Sequence, residues 1–172
     1  MSSRARLVLV SCALAASLLG CASNRSGPAA KNVSFEKLKS LAGTWTTKDE
    51  SGKEVIALES RVVSAGSALE ERMFPGSDHE MVNMYHQDNG ALIVTHYCAM
   101  GNQPRMHAVA SAPDEFAFRL RDVTNRAKDD GCMGSLTIKV VDQDHIVQHW
   151  VSYDKNGKEL PPTVFECTRK KS

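Results

Sequence analysis

The sequence predicts an all-β protein: an antiparallel, up-and-down barrel of about ten strands with one short helix before them. Short segments rich in β-branched and aromatic residues alternate with turn sequences along most of the chain. The connections are too short for anything but antiparallel neighbours. No second helical stretch is long enough for a βαβ unit, so a β-sandwich is the alternative architecture.

A single amphipathic helix is predicted over residues 34–41. The pattern consists of an N-cap residue, three apolar residues at helical spacing and a terminal glycine, namely Ser34, Phe35, Leu38, Leu41 and Gly43. We expect this helix to lie against one end of the barrel, with Trp45 of the first strand packed inside beside it.

The predicted strands follow the helix without interruption by another element. They cover residues 44–48, 54–64, 68–74, 80–87, 91–98, 104–111, 115–121, 135–141, 145–153 and 163–169. Asn89-Gly90 is typical of a two-residue hairpin turn and pairs Asp88 with Ala91. Residues 123–134 form the one long irregular stretch and are predicted to be a mobile loop or lid.

The first 20 residues have the features of a cleavable export signal. Arg4 and Arg6 precede an apolar run that is too short to span a bilayer. The run ends in Leu18-Leu19-Gly20-Cys21, which resembles the lipobox of bacterial lipoproteins. In that family the cysteine is acylated and becomes the new N-terminus, which implies that Cys21 anchors this protein to a lipid bilayer.

The domain organisation and location follow from that resemblance. We expect a signal peptide at 1–20, a flexible tether at 21–33 and one barrel domain at 34–172, because residues 22–32 are rich in small and polar residues without periodicity. Ala22 resembles the residue that permits transfer to an outer membrane. The expected location is therefore the cell envelope, on the outer membrane and facing the periplasm.

Composition excludes several classes of function. Removal of residues 1–20 leaves 152 residues with 19 Lys and Arg against 20 Asp and Glu, so there is no basic face for nucleic acid. No Cys-x-x-C, phosphate loop or Gly-x-Ser-x-Gly motif occurs. With Cys12 removed in the signal and Cys21 expected to be acylated, three cysteines remain, Cys98, Cys132 and Cys167. An exported compartment permits a disulfide among them, but we expect free thiols at Cys98 and Cys167.

Several segments resemble known barrel families. Gly43-Thr44-Trp45 resembles the Gly-x-Trp start of the calycin superfamily, which includes lipocalins and fatty-acid-binding proteins. Residues 68–76, 81–86 and 95–106 resemble bacterial lipocalin-like domains of unknown function, and the resemblance covers most of residues 35–169. It implies a calycin-like barrel and no particular activity.

Haem is the one cofactor considered, because the predicted barrel distantly resembles nitrobindin-type haem barrels in shape. Nitrobindin-type barrels hold haem through a histidine on a late strand. His145 and His149 are the histidines on a late strand here, but their surroundings do not match that family's motif. The cofactor therefore remains unknown at this stage.

A ligand pocket is predicted from mixed polar and apolar faces on adjacent strands, which indicate polar groups inside the barrel. Counted back from the Asn89-Gly90 turn, Tyr85 and His96 share a face. The loop after His96 supplies amides and Arg105, a suitable clamp for a carboxylate, and Trp150, chosen over His149, supplies an aromatic wall. The predicted ligand-binding residues are Tyr85, His96, Asn102, Gln103, Arg105 and Trp150. The alternative is that these residues are structural, with His96 and Tyr85 satisfied by each other or by water and the loop amides bonded to the loop's own backbone.

Other polar clusters have weaker signals. Glu70, Glu71 and Arg72 are predicted to form a solvated strand edge, with room for one of them to turn inward into a core ion pair. His96 with Cys98 and His145 with His149 each lack a third metal ligand fixed by local spacing. Asp78-His79-Glu80 lies in a turn next to Pro75 and Gly76, so no metal site is predicted.

Three classes of function remain open. The leading one is a binding module that holds a small, partly apolar ligand, hydrophobic or amphipathic, in the barrel. The second is a haem protein or an enzyme that depends on His96 or His149, and the third is a structural or partner-binding envelope protein. No catalytic residue is predicted.

Overall fold

The protein is a closed antiparallel β-barrel, as the sequence predicts. The structure is a computed structural model that describes residues 33–171. Ten strands pair in sequence order and β1 also pairs with β10, which closes the barrel. Helix α1 (Val33–Lys39) precedes the strands, which are β1 (Gly43–Lys48), β2 (Glu54–Val63), β3 (Ala68–Met73), β4 (Met81–Asp88), β5 (Ala91–Tyr97), β6 (Gln103–Val109), β7 (Glu115–Thr124), β8 (Cys132–Val140), β9 (His145–Tyr153) and β10 (Thr163–Arg169).

Three predicted boundaries need correction. Strands β7 and β8 extend into the stretch predicted as a long loop, so only residues 125–131 remain between them. The helix begins at Val33 and ends at Lys39, so Ser34 lies inside it and does not precede it. Gly43 is not the end of the helix but the first residue of β1, at a φ of 141°. L side chains rarely adopt this φ, which explains the glycine, and a Cβ atom there would also lie 2.8 Å from a guanidinium nitrogen of Arg169.

Trp45 links the segment after α1 to the last strand of the barrel. Its side chain is buried inside the barrel, as predicted, and its Nε1 donates a hydrogen bond to the Leu41 carbonyl at 3.0 Å. The guanidinium of Arg169, on the last strand, lies 4.1 Å from the centre of the indole ring, and Arg169 Nη1 donates to the Ala42 carbonyl at 3.0 Å. These contacts hold the segment after α1 against both closing strands.

Helix α1 covers one end of the barrel. Phe35 and Leu38 are buried in the main hydrophobic core. Lys39 Nζ donates to the Gly66 carbonyl at 3.0 Å, and Lys37 Nζ donates to the Pro113 carbonyl. The helix is therefore at the end where the β2–β3 and β6–β7 connections lie. The opposite end consists of the connections at residues 49–53, 74–80, 98–102, 125–131 and 154–162.

The β4–β5 hairpin has the predicted register. Asn89 and Gly90 both have positive φ, at 49° and 85°, which matches a type I′ turn, and Asp88 pairs with Ala91. Asn83 is consequently opposite His96, and both side chains are fully buried. The turn chemistry thus sets which side chains face the interior.

Two further observations concern the described residues. The three cysteines among them, Cys98, Cys132 and Cys167, are free thiols, in agreement with the expectation for Cys98 and Cys167. Within residues 33–171, no helix has the length and apolarity needed to cross a membrane.

Candidate functional site

A buried polar network crosses the interior of the barrel. It centres on Glu71, whose side chain is only 5% exposed. Glu71 Oε1 accepts hydrogen bonds from Asn83 Nδ2 at 2.7 Å and from the Tyr85 hydroxyl at 3.0 Å. Glu71 Oε2 accepts a third, from Gln148 Nε2 at 3.2 Å. Three donors from β4 and β9 thus converge on one carboxylate of β3, which is the arrangement that lets a carboxylate be buried.

The network continues on both sides of the carboxylate. Gln148 Oε1 accepts a hydrogen bond from Trp150 Nε1 at 2.9 Å. On the other side, Asn83 Oδ1 lies 2.7 Å from His96 Nδ1, and the His96 ring lies 5.0 Å from the Trp150 ring, centre to centre. The side chains of four strands are therefore connected in one chain of contacts that returns to itself at the His96–Trp150 pair.

The hydrogen-bond partners determine the tautomer of His96. Asn83 Nδ2 faces two acceptors, Glu71 Oε1 and the Met73 sulfur at 3.4 Å, so the oxygen of the amide faces the imidazole. His96 Nδ1 must then carry the proton and donate it to Asn83 Oδ1. The lone pair is on Nε2, which is buried and has no partner in the structure.

Burial also sets the charge state of the network. It lowers the pKa of His96 to about 4, so the imidazole is neutral near pH 7. Burial raises the pKa of Glu71, while the three hydrogen bonds to its carboxylate oppose that change. Burial and the neighbouring Glu71 charge raise the pKa of Tyr85, which stays a protonated donor. Burial likewise raises the pKa of the nearby Cys167 thiol to about 12, so Cys167 is not a thiolate nucleophile.

The network occupies the half of the barrel away from α1. His96 is one residue from the end of β5, Glu71 is two residues from the end of β3, and Asn83 is two residues after the start of β4. All three strand ends belong to the end of the barrel opposite the helix. The site is therefore closest to the connections at 74–80 and 98–102.

Four of the six residues predicted for a pocket are buried, and two are not. Tyr85, His96 and Trp150 belong to the same interior network. Asn102 is also buried. It lies in the connection after β5, where its Nδ2 donates a hydrogen bond to the Gly131 carbonyl at 3.0 Å. Gln103 and Arg105 are not buried because side chains alternate along β6. Asn102, Pro104 and Met106 face inward, so the residues between them face outward.

Gln103 and Arg105 face outward. Gln103 Nε2 donates to the Gly101 carbonyl at 2.9 Å, and its Oε1 accepts from the Thr124 hydroxyl at 2.9 Å. Arg105 forms a two-point ion pair with Asp122 on the outer surface, at 2.6 and 2.8 Å. It does hold a carboxylate, but one from the next strand.

The histidines of β9 are also on the outside. His145 and His149 are exposed, while Ile146, Gln148 and Trp150 fill the inner face of that strand. This position removes His149 from the interpretations that place a haem or catalytic histidine inside the barrel. No group of three His, Cys, Asp or Glu side chains with metal-binding geometry occurs within residues 33–171.

Glu71 and Gln148 are the interior residues that sequence reasoning did not select. Of Glu70, Glu71 and Arg72, which were predicted as a solvated edge with room for an inward turn, Glu71 is the one that faces inward, and the predicted ion pair is wrong because neutral donors hold its carboxylate. A signal was available: Glu71 lies between Leu69 and Met73, its neighbours on the same face of the strand. Gln148 lies in the same way between Ile146 and Trp150.

The groove on the outer wall formed mainly by β2 and β3 is a weaker candidate for a ligand site. It is lined by Glu59, Arg61, Glu70 and Arg72, among others. Its charges are paired with each other or with Glu80, at 3.1 Å for Arg61–Glu70 and 2.6 Å for Arg72–Glu80. Exposed pairs of this kind are weak and leave no unpaired group to select a ligand. The interior network is therefore the better candidate site.

Comparison with known proteins adds no assignment to this geometry. Neither a known protein family nor a curated protein sequence matches the chain.

Proposed function

We propose that this protein is a lipid-anchored protein of the bacterial cell envelope that binds a small, partly apolar ligand inside its barrel. The observation that carries the binding proposal is the free lone pair of His96 Nε2, in a neutral imidazole that is fully buried and packed against Trp150. Buried polar atoms nearly always have a partner, so an acceptor left open beside an aromatic ring supports a ligand there.

The envelope part of the proposal rests on the sequence before the barrel. Cys21 and the signal features that precede it lie outside the described residues. Two or more acyl chains on such a cysteine give stable attachment without a membrane-spanning helix. Ala22 supports the outer membrane, facing the periplasm, as the destination.

The ligand is tested by native mass spectrometry of the protein purified from its own host in mild detergent. We expect the wild-type chain to carry a non-covalent mass that is lost in His96→Phe and kept in His149→Phe, the same substitution on the outer face. A spectrum that contains only the acylated polypeptide would contradict the binding proposal. An absorption band typical of haem that is present in wild type and His149→Phe and lost in His96→Phe would show that the occupant is a porphyrin held by His96.

Lipid anchoring is tested separately by cell fractionation. Cys21→Ala is expected to remove the protein almost entirely from the membrane pellet after a high-salt wash, because no acyl chain is left to hold it. Cys12→Ala is the matched control, since Cys12 lies within the predicted signal and should be removed with it. Retention of the Cys21→Ala protein in the washed membranes would rule out the anchor.

A further inference from the structure

Both buried side-chain atoms of the described residues that lack any hydrogen-bond partner are acceptors. Trp150 Nε1 is only a donor, so Gln148 Oε1 faces it and Gln148 Nε2 faces Glu71. The side-chain protons of Asn83, Tyr85 and His96 are also used within the network. Among buried side chains of residues 33–171, two atoms have no partner, His96 Nε2 and Asn102 Oδ1, and both are acceptors. A ligand that satisfies His96 must therefore bring a hydrogen.

The charges of the interior exclude an anionic ligand. No Lys or Arg is buried among the described residues, whereas the Glu71 carboxylate is. Arg105, the cation expected to clamp a carboxylate, is outside and already paired with Asp122. An anion placed beside His96 would be buried without a counter-charge and near a second negative group, which is strongly unfavourable.

A cationic ligand is also poorly matched. The oxygens of Glu71 already accept three hydrogen bonds from Asn83, Tyr85 and Gln148, and these donors surround the carboxylate. An ammonium group brings three N–H donors, whereas the acceptor sites left there are His96 Nε2 and one remaining lone pair on Glu71 Oε2, so at least one N–H would be buried without a partner, which costs about 1–3 kcal/mol. The side chain next to His96 is the Trp150 indole, and the core around it is apolar, which suits an apolar body.

We infer that the ligand is an uncharged hydroxyl compound, an alcohol or phenol with an apolar body, whose O–H donates to His96 Nε2. This inference rests on the proposed function and specifies the chemical class of its ligand. The hydroxyl supplies the hydrogen that His96 Nε2 lacks, and its apolar body suits the apolar side chains of the core beside Trp150.

The test uses three probes that share one ring and differ in the group attached: phenol, toluene and benzoate. The full-length lipidated protein, labelled with ¹⁵N-histidine in detergent micelles, is titrated with each probe. Phenol is expected to shift the His96 Nε2 resonance in the direction of an accepted hydrogen bond, to saturate, and to quench Trp fluorescence. Toluene is expected to bind about tenfold more weakly without that shift, which corresponds to one lost hydrogen bond. Benzoate is expected not to bind.

The His96→Phe variant completes the test, with far-UV circular dichroism to confirm that it is folded. We expect its affinity for phenol to fall to that for toluene, whereas His149→Phe keeps the tenfold preference. Equal binding of phenol and toluene by the wild type, or tighter binding of benzoate, would overturn the ligand class and leave a binding site in place. If no probe alters the Nε2 resonance or the Trp fluorescence, His96 is occupied by water and the proposed function fails as well.

Discussion

Replacement of Glu71 with Ala is expected to lower the free energy of unfolding by roughly 3–5 kcal/mol. The change removes the acceptor for Asn83, Tyr85 and Gln148, and leaves three buried donors without a partner in a space that a methyl group does not fill. Urea denaturation followed by Trp fluorescence measures the effect. Glu71→Gln should lower the free energy of unfolding by less than Glu71→Ala does. Its side-chain oxygen still accepts from two donors, while its amide nitrogen faces the Gln148 donor.

Glu70→Ala is the matched control for this prediction. Glu70 is the neighbouring residue of the same type, but it faces outward and pairs with Arg61, whose side chain is 72% exposed. An exposed pair contributes about 0–1 kcal/mol. Similar losses for Glu70→Ala and Glu71→Ala would mean that the interior network does not contribute to stability as the structure indicates.

The stability of the barrel is expected to fall by about 3 kcal/mol between pH 7 and pH 4 through His96 alone. The pKa of His96 is about 4 in the folded protein and 6.5 in the unfolded chain. In this window the unfolded chain binds the additional proton, so acid favours unfolding. The contribution is fully present above pH 6.5, is lost as the pH falls, and changes no further well below pH 4.

The measurement compares the pH dependence of unfolding in His96→Phe and in wild type. The variant should lack this slope, which is at most about 1.4 kcal/mol per pH unit for one proton. The raised pKa of Glu71 acts in the opposite direction, since stability from that group falls as the pH rises above its unfolded value, and it is present in both proteins. His149→Phe, changed on the exposed face, should keep the wild-type slope, and parallel curves for His96→Phe and wild type would contradict the burial of a neutral imidazole.

Much of the fold was predictable because its signals are local. Turn sequences and runs of β-branched residues lie within a few positions of each other, and the Asn89-Gly90 turn fixes the pairing of β4 with β5 through its own backbone angles. The same register predicted that Tyr85 and His96 share the inner face. Trp45 was identified as a core residue from its place between the helix and the first strand. These conclusions need no information from distant parts of the chain.

The site itself depends on contacts between residues far apart in sequence. Glu71 and Gln148 are 77 positions apart and meet only because β3 and β9 lie across the closed barrel from one another. Arg105 was predicted as a ligand clamp because its residue type suits that role, but strand alternation turns it outward to Asp122. The sequence determined the strands, their order and the polar character of the interior. Barrel closure decides which polar groups form hydrogen bonds with one another and leaves His96 Nε2 without a partner. Closure alone brings the inner faces of non-adjacent strands within hydrogen-bonding distance.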